Sequence, residues 1–162
     1  MKIAVFSDSH GDCRYMVSEA AKLKKAVTLN YIVHLGDLVQ DAKFLQEKFP
    51  EIPVLYVYGN CDFTYDRLKE EKEFELGGKN FFIMHGHTRR VKSSLDGLKA
   101  IAGHKDYDVL LYGHTHEPHK SWESGTYIIN PGSVSDNRNG GRKSYCVIDI
   151  TGDILEANIV YV

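Results

Sequence analysis

Residues 3–10 read Ile-Ala-Val-Phe-Ser-Asp-Ser-His. Four consecutive apolar residues are too few for a helix and predict a strand buried on both faces, with Asp8-Ser9-His10 at its carboxyl end. The pattern recurs. Tyr31–Leu35 runs into Gly36-Asp37, and Val54–Val57 into Gly59-Asn60-Cys61-Asp62. Phe81–Met84 runs into His85-Gly86-His87, and Val109–Tyr112 into Gly113-His114-Thr115-His116. Tyr127–Ile129 ends in Asn130-Pro131-Gly132-Ser133. Met16, Val17, Ala20, Leu23 and Val27 have helical spacing and predict a helix over Cys13–Val27. Ala42–Phe49 reads as a second helix, stopped by Pro50. Strand–helix–strand alternation implies right-handed crossovers and a parallel sheet.

The second half changes character. Glu73–Leu76 and Phe81–Met84 flank Gly77-Gly78 and read as a hairpin. Val91, Leu95, Leu98 and Ile101 fall on one face of a helix expected over Val91–Ala102. Tyr145–Ile150 and Ile154–Val162 form a second hairpin around Thr151-Gly152-Asp153. Asn137–Lys143 is a polar, Gly-rich loop. No repeat or linker divides the chain, so one domain over residues 1–162 is expected.

The polar clusters carry the chemistry. In open α/β sheets ligands bind beyond the carboxyl ends of the strands. Asp8, His10, Asp37, Asn60, His85, His114 and His116 all stand at such ends. Carboxylate, imidazole and amide oxygen suit divalent cations such as Mn, Fe, Zn or Mg. Two carboxylates and four histidines exceed what one catalytic ion takes, since such ions keep a position open. Two ions sharing a bridging carboxylate use the whole set. Gly36, Gly59, Gly86 and Gly113 beside the ligands permit sharp turns and close approach. Each short motif alone also occurs in ordinary turns. The ordered conjunction at five strand ends argues for a metal site.

Composition narrows the partners. The 162 residues carry 20 basic and 22 acidic side chains, a net charge of −2. Duplex-binding proteins show a basic excess, so stable nucleic-acid binding is not expected. Cys13, Cys61 and Cys146 have no paired spacing, which argues against a disulfide framework and for a reducing compartment. No run approaches the roughly 18 apolar residues of a membrane helix. The expected location is cytoplasmic.

In this order, Asp8-X-His10, Gly36-Asp37, Gly59-Asn60-X-Asp62, His85 and Gly113-His114-X-His116 resemble the calcineurin-like metallophosphoesterases. The resemblance spans residues 1 to about 145. The short chain, Cys61 after Asn60 and the Asn130–Ser133 block look most like the small bacterial and archaeal phosphodiesterase branch. The resemblance implies a four-layer α/β/β/α sandwich. It implies a first metal on Asp8, His10 and His116, a second on Asn60, His85 and His114, and Asp37 bridging both. It implies two divalent ions per chain, Mn foremost, with Ni, Fe, Zn or Mg compatible with the same donors. The reaction so implied is hydrolysis of a small phosphodiester by in-line attack of a metal-bridging hydroxide. Relatives form dimers or larger assemblies, so a homo-oligomer is also an expectation.

Further roles follow from the resemblance. Asp62 would orient a ligand. Many relatives have His where Cys61 stands, and a thiol is a poorer acid than an imidazolium. His87 is the candidate to protonate the leaving oxygen and to contact the phosphate. Arg138 is a candidate substrate contact. A rival reading is a protein-interaction scaffold like the retromer subunit of the same fold. That reading predicts a degraded ligand set, whereas all seven positions are filled.

Overall fold

Two five-stranded sheets lie face to face with helices on their outer sides. The structure is a computed structural model. It describes residues 1–63, 70–104, 106–136 and 140–162.

The first sheet has the order β10-β9-β1-β2-β3. It contains β1 (Lys2–Phe6), β2 (Leu29–His34), β3 (Val54–Tyr56), β9 (Ser144–Thr151) and β10 (Ile154–Tyr161). β1, β2 and β3 are parallel, as the alternating pattern predicts, whereas β9 and β10 are antiparallel additions. α1 (Arg14–Ala26) and α2 (Val39–Lys48) supply the crossovers. Their apolar faces meet the sheet through Met16, Ala20 and Leu45 against Ala4, Phe6 and Ile32.

The second sheet has the order β4-β5-β6-β8-β7. It contains β4 (Glu71–Leu76), β5 (Lys79–Met84), β6 (Val109–Leu111), β7 (Pro118–Glu123) and β8 (Thr126–Pro131). α3 (Asp96–His104) packs Leu98 and Ala102 against its outer face, on Phe82, Met84 and Leu110. The inner faces share an apolar core. Ile3, Val5 and Val33 of the first sheet meet Phe81, Ile83, Val109 and Leu111 of the second. Each of these seven is fully buried. The alternate residues Ala4 and Phe6 fill the helix side, so both faces of β1 are covered and its run is continuously apolar. The four-layer α/β/β/α expectation is met.

Three expectations need correction. α2 starts at Val39, three residues before Ala42, because Asp62 Oδ1 accepts the Val39 N–H at 2.7 Å. A cap supplied from another loop leaves no local signal. α3 starts at Asp96 rather than Val91. Residues 90–94 turn tightly, and Ser94 Oγ caps the Asp96 N–H at 3.0 Å. Val91 and Leu95 still pack under the helix, which is why their spacing looked helical. β7 was not anticipated. It is an edge strand with Trp122 as its only large apolar residue, and edges need no apolar alternation. Among the described residues, no helix is long and apolar enough to cross a membrane.

Candidate metal centre

The carboxyl ends of β1, β2, β5 and β6 meet at one edge of the sandwich and present two groups of donors. Asp8, His10, Asp37 and His116 form one, and Asp37, His85 and His114 the other. The offered atoms of each group lie within 4.8 Å of one another. Asp37 belongs to both. Its Oδ2 is 3.6 Å from His10 Nε2, and its Oδ1 is 3.3 Å from His85 Nε2. Asn60 joins the second group with its Oδ1 3.2 Å from His85 Nε2. The structure thus brings all seven residues together. Their assignment to individual ions is taken up below as a proposal.

Backbone conformation explains the convergence. Eight described non-glycine residues have positive φ, and five of them are Asp8, His10, Asp37, His114 and His116. Asp, Asn and His tolerate this region best, and such strain gathers at functional sites. The left-handed turns end the strands abruptly and aim side chains back over the sheet edge. Gly59 and Gly113 act through close approach instead. A Cβ on Gly59 would collide with the Asp37 carboxylate, and one on Gly113 with Ser7 Oγ and Asp8 Oδ2.

Hydrogen bonding fixes what the ligand atoms offer. His85 Nδ1 lies 2.8 Å from the Leu35 carbonyl, so Nδ1–H donates there and Nε2 keeps a lone pair. His116 Nδ1 donates likewise to the Asp136 carbonyl at 2.7 Å. Asn60 Nδ2 approaches Cys61 Sγ at 3.4 Å, which turns its Oδ1 to His85. Lone pairs of His85 Nε2, Asn60 Oδ1 and Asp37 Oδ1 therefore face one another without a proton between them. Burial pushes His85 and His114 down to about 4, so both rings are neutral. Asp8 Oδ2 accepts from Ser7 Oγ at 2.6 Å and the His114 N–H at 3.0 Å, while buried Oδ1, 3.3 Å from His116 Nε2, has no hydrogen-bond partner among the described residues. Burial raises the Asp8 carboxyl to about 7, against the Ser7 hydrogen bond and with repulsion from Asp37 adding to it. Converging acceptors, neutral imidazoles and an orphaned carboxylate oxygen fit divalent cations.

A buried support lies behind the ligands. Asp41 Oδ2 accepts from Ser9 Oγ at 2.7 Å and from the Gly11 N–H at 2.8 Å. Ser9 Oγ in turn lies 3.0 Å from His34 Nε2, and His34 Nδ1 accepts the Gly36 N–H at 3.3 Å. The chain ties the Asp8–His10 loop to the Gly36-Asp37 loop. His34 is the structural histidine of a buried strand. Burial pushes it down to about 4 from an ordinary 6.5. A lowered imidazole contributes stability above its unfolded value and loses it as pH falls from 6.5 towards 4. His34→Gln is expected to lose about 2 kcal/mol less between pH 7 and 5 than the wild type in urea unfolding. Equal losses in the two proteins would remove His34 from the acid response.

The Asn130–Ser133 block is part of the same scaffold. Asn130 Nδ2 donates to the Gly113 carbonyl at 2.9 Å, and Ser133 Oγ to the Asp8 carbonyl at 2.7 Å. Asp62 acts on the ligand loops through their backbone. Its oxygens accept the backbone N–H groups of Val39 and Gly59 at 2.7 and 2.8 Å, so it joins the loops that carry Asp37 and Asn60. Cys61 donates its backbone N–H to Asp37 Oδ1 at 3.0 Å, and burial raises its thiol further. His87 stands beside the second group, its ring centre 5.4 Å from that of His85 and 6.1 Å from that of His114. Arg138, with Asn137 before it, lies outside the described residues. The sequence reading missed Ser9 and Asp41; a Ser between two ligands is unremarkable until its buried partners are seen.

With this geometry, the fold and site define a metallophosphoesterase-type centre. The family model described as "Calcineurin-like phosphoesterase superfamily domain" matches residues 1–153, and the chain belongs to that superfamily of phosphoester hydrolases. It is 30% identical to the probable metallophosphoesterase YsnB of Bacillus subtilis over 94% of this chain and 86% of that protein. It is 30% identical to phosphodiesterase MJ0936 of Methanocaldococcus jannaschii over 82% of this chain and 83% of that one. A predicted phosphoesterase of Streptococcus pneumoniae superposes with a TM-score of 0.78 at 28% identity, covering 99% of this chain and 88% of that one. Vps29 of Entamoeba histolytica, solved with zinc, has a TM-score of 0.76 at 20% identity, covering 99% of each chain, a likeness of fold alone. The family implies divalent metal ions, and the two donor groups are candidates to hold them.

Proposed function

We propose that the chain is a phosphodiesterase working through a dinuclear metal centre. One ion would be held by Asp8, His10, Asp37 and His116, and the other by Asp37, Asn60, His85 and His114. The observation that carries this reading is the sharing of Asp37 by two groups of convergent lone pairs. When bound, two divalent ions supply positive charge for the phosphate oxygens and an activated water for in-line attack. The chain's residues do the rest. The Leu35 and Asp136 carbonyls fix the tautomers of His85 and His116. Ser9, Asp41 and Ser133 hold the first loop in register. Cys61 is a weak acid here, so we assign protonation of the leaving oxygen, and a contact to the phosphate, to His87. Its buried Nδ1 has no hydrogen-bond partner among the described residues, and its Nε2 lies 3.8 Å from Glu70. A solvent-exposed Asn60 and a half-buried His114 leave that side open to a substrate. Manganese is the ion we place first, since imidazole with carboxylate suits it.

The relative named as a phosphodiesterase supports a diester as substrate. The scaffold alternative has the fold likeness to Vps29 behind it, but nothing in a scaffold requires seven converging donors. Chelator-stripped protein, reloaded separately with Mn, Ni, Fe, Mg or Zn, is expected to hydrolyse bis(p-nitrophenyl) phosphate fastest with Mn and to prefer it to p-nitrophenyl phosphate. Rates at background with every ion would refute the enzyme reading.

A further inference from the structure

A groove of about 950 Å³ opens beside the metal centre, between the start of α1 and the outer side of α2. Its lining begins at His10, a residue of the first donor group, and runs past Cys13 and Val17 to Phe44. The volume is that of a small-molecule site. Cys13 and Val17 are half-buried on the helix–sheet core. Phe44 is 37% exposed and belongs to none of the three core clusters. Its large apolar side chain lines the groove, and its ring carries the Lys48 ammonium 5.2 Å from the centre.

The charged residues of the groove are already engaged. Arg14 Nε and Nη2 donate to the two oxygens of Asp12 at 2.8 and 2.9 Å. Asp41 is held by Ser9 and Gly11. An anionic occupant would meet the Asp12 and Asp41 carboxylates, and a cationic one the Arg14 guanidinium. What the groove offers an uncharged occupant is Val17, the Cys13 sulfur and the part of Phe44 that Lys48 leaves uncovered. Aromatic rings gain most from such a surface, by area and by ring geometry.

We propose that the groove is the subsite for one ester arm of the substrate, and that this arm is an uncharged aromatic ring. The inference rests on the phosphodiesterase reading. The phosphate would lie at the donor groups, and the ring would pass His10 onto Phe44. The groove's continuity with the site through His10 favours a substrate arm over a separate partner.

The test uses Mn-loaded full-length protein and two esters with the same chromogenic leaving group, phenyl p-nitrophenyl phosphate and methyl p-nitrophenyl phosphate. The wild type is expected to favour the phenyl ester in kcat/KM by at least about tenfold, within the range apolar pockets achieve. Phe44→Ala is expected to bring the ratio close to one. Trp122→Ala removes an exposed aromatic outside the groove and is expected to leave the ratio unchanged. Calorimetry adds a readout without turnover: phenylphosphonate is expected to bind more tightly than methylphosphonate, and Phe44→Ala to erase the difference. An unchanged ester ratio in Phe44→Ala overturns the subsite. So does a Phe44→Ala variant that only changes from dimer to monomer in light scattering, which would make the groove a contact between copies. Hydrolysis of neither ester by the wild type would contradict the phosphodiesterase reading itself, a result distinct from hydrolysis without aryl preference.

Discussion

Asp37→Asn is expected to lower kcat/KM for a phosphodiester by about a thousandfold or more while leaving the fold intact. Several kcal/mol of transition-state charge stabilisation come from bound ions, and each 1.36 kcal/mol is a factor of ten. Asp37 is the one residue common to both donor groups, so losing its charge weakens both. Asparagine keeps the shape and can still accept the Cys61 N–H that Asp37 Oδ1 takes at 3.0 Å. The change also removes repulsion against the buried Asp8 carboxylate. Metal-free Asp37→Asn is expected to stay folded, with a melting temperature near the wild type's, because the relief of repulsion opposes the loss of a charge that the fold favours. Loss of activity with near-equal stability separates a ligand from a structural residue. Retained turnover, or a metal-free variant that unfolds, would contradict the assignment.

Gly113→Ala is expected to combine a large loss of activity with a loss of stability. The added methyl would strike Ser7 Oγ and Asp8 Oδ2, both fully buried. Neither has room to retreat, because Ser7 Oγ donates to Asp8 Oδ2 and the His114 N–H bonds the same oxygen. Overpacking of this kind costs about 1–3 kcal/mol, and it displaces a proposed ligand as well. Urea unfolding and diester turnover check both effects. Gly97→Ala is the control. It lies in α3 with open space around a new Cβ, and alanine is the better helix former. A Gly113→Ala variant matching Gly97→Ala in stability and activity would show that the close approach at Gly113 has no consequence.

The parallel strands and the polar residues at their ends were legible because they follow from local patterns, whereas the four-layer architecture came from the family resemblance. A buried parallel strand must be apolar on both faces, so Ile3–Phe6 and Val109–Leu111 announce themselves. Ligands at strand ends appear as polar residues directly after such runs. What was not legible depends on residues far apart in the chain. The early start of α2 needs Asp62, and the orientation of the Asp8–His10 loop needs Asp41 and Ser133. The edge strand β7 is defined by pairing with β8, not by its own composition. The left-handed backbone at five donors is likewise a product of the assembled sheet edge, since no local rule demands it of Asp or His.

Native mass spectrometry of the chain titrated with Mn tests most directly whether Asp37 would serve two ions at once. The wild type is expected to take up two ions per chain, and Asp37→Asn fewer than two at the same free concentration. A wild-type protein that saturates at one ion, or an Asp37→Asn variant that still binds two with unchanged affinity, would contradict the dinuclear account.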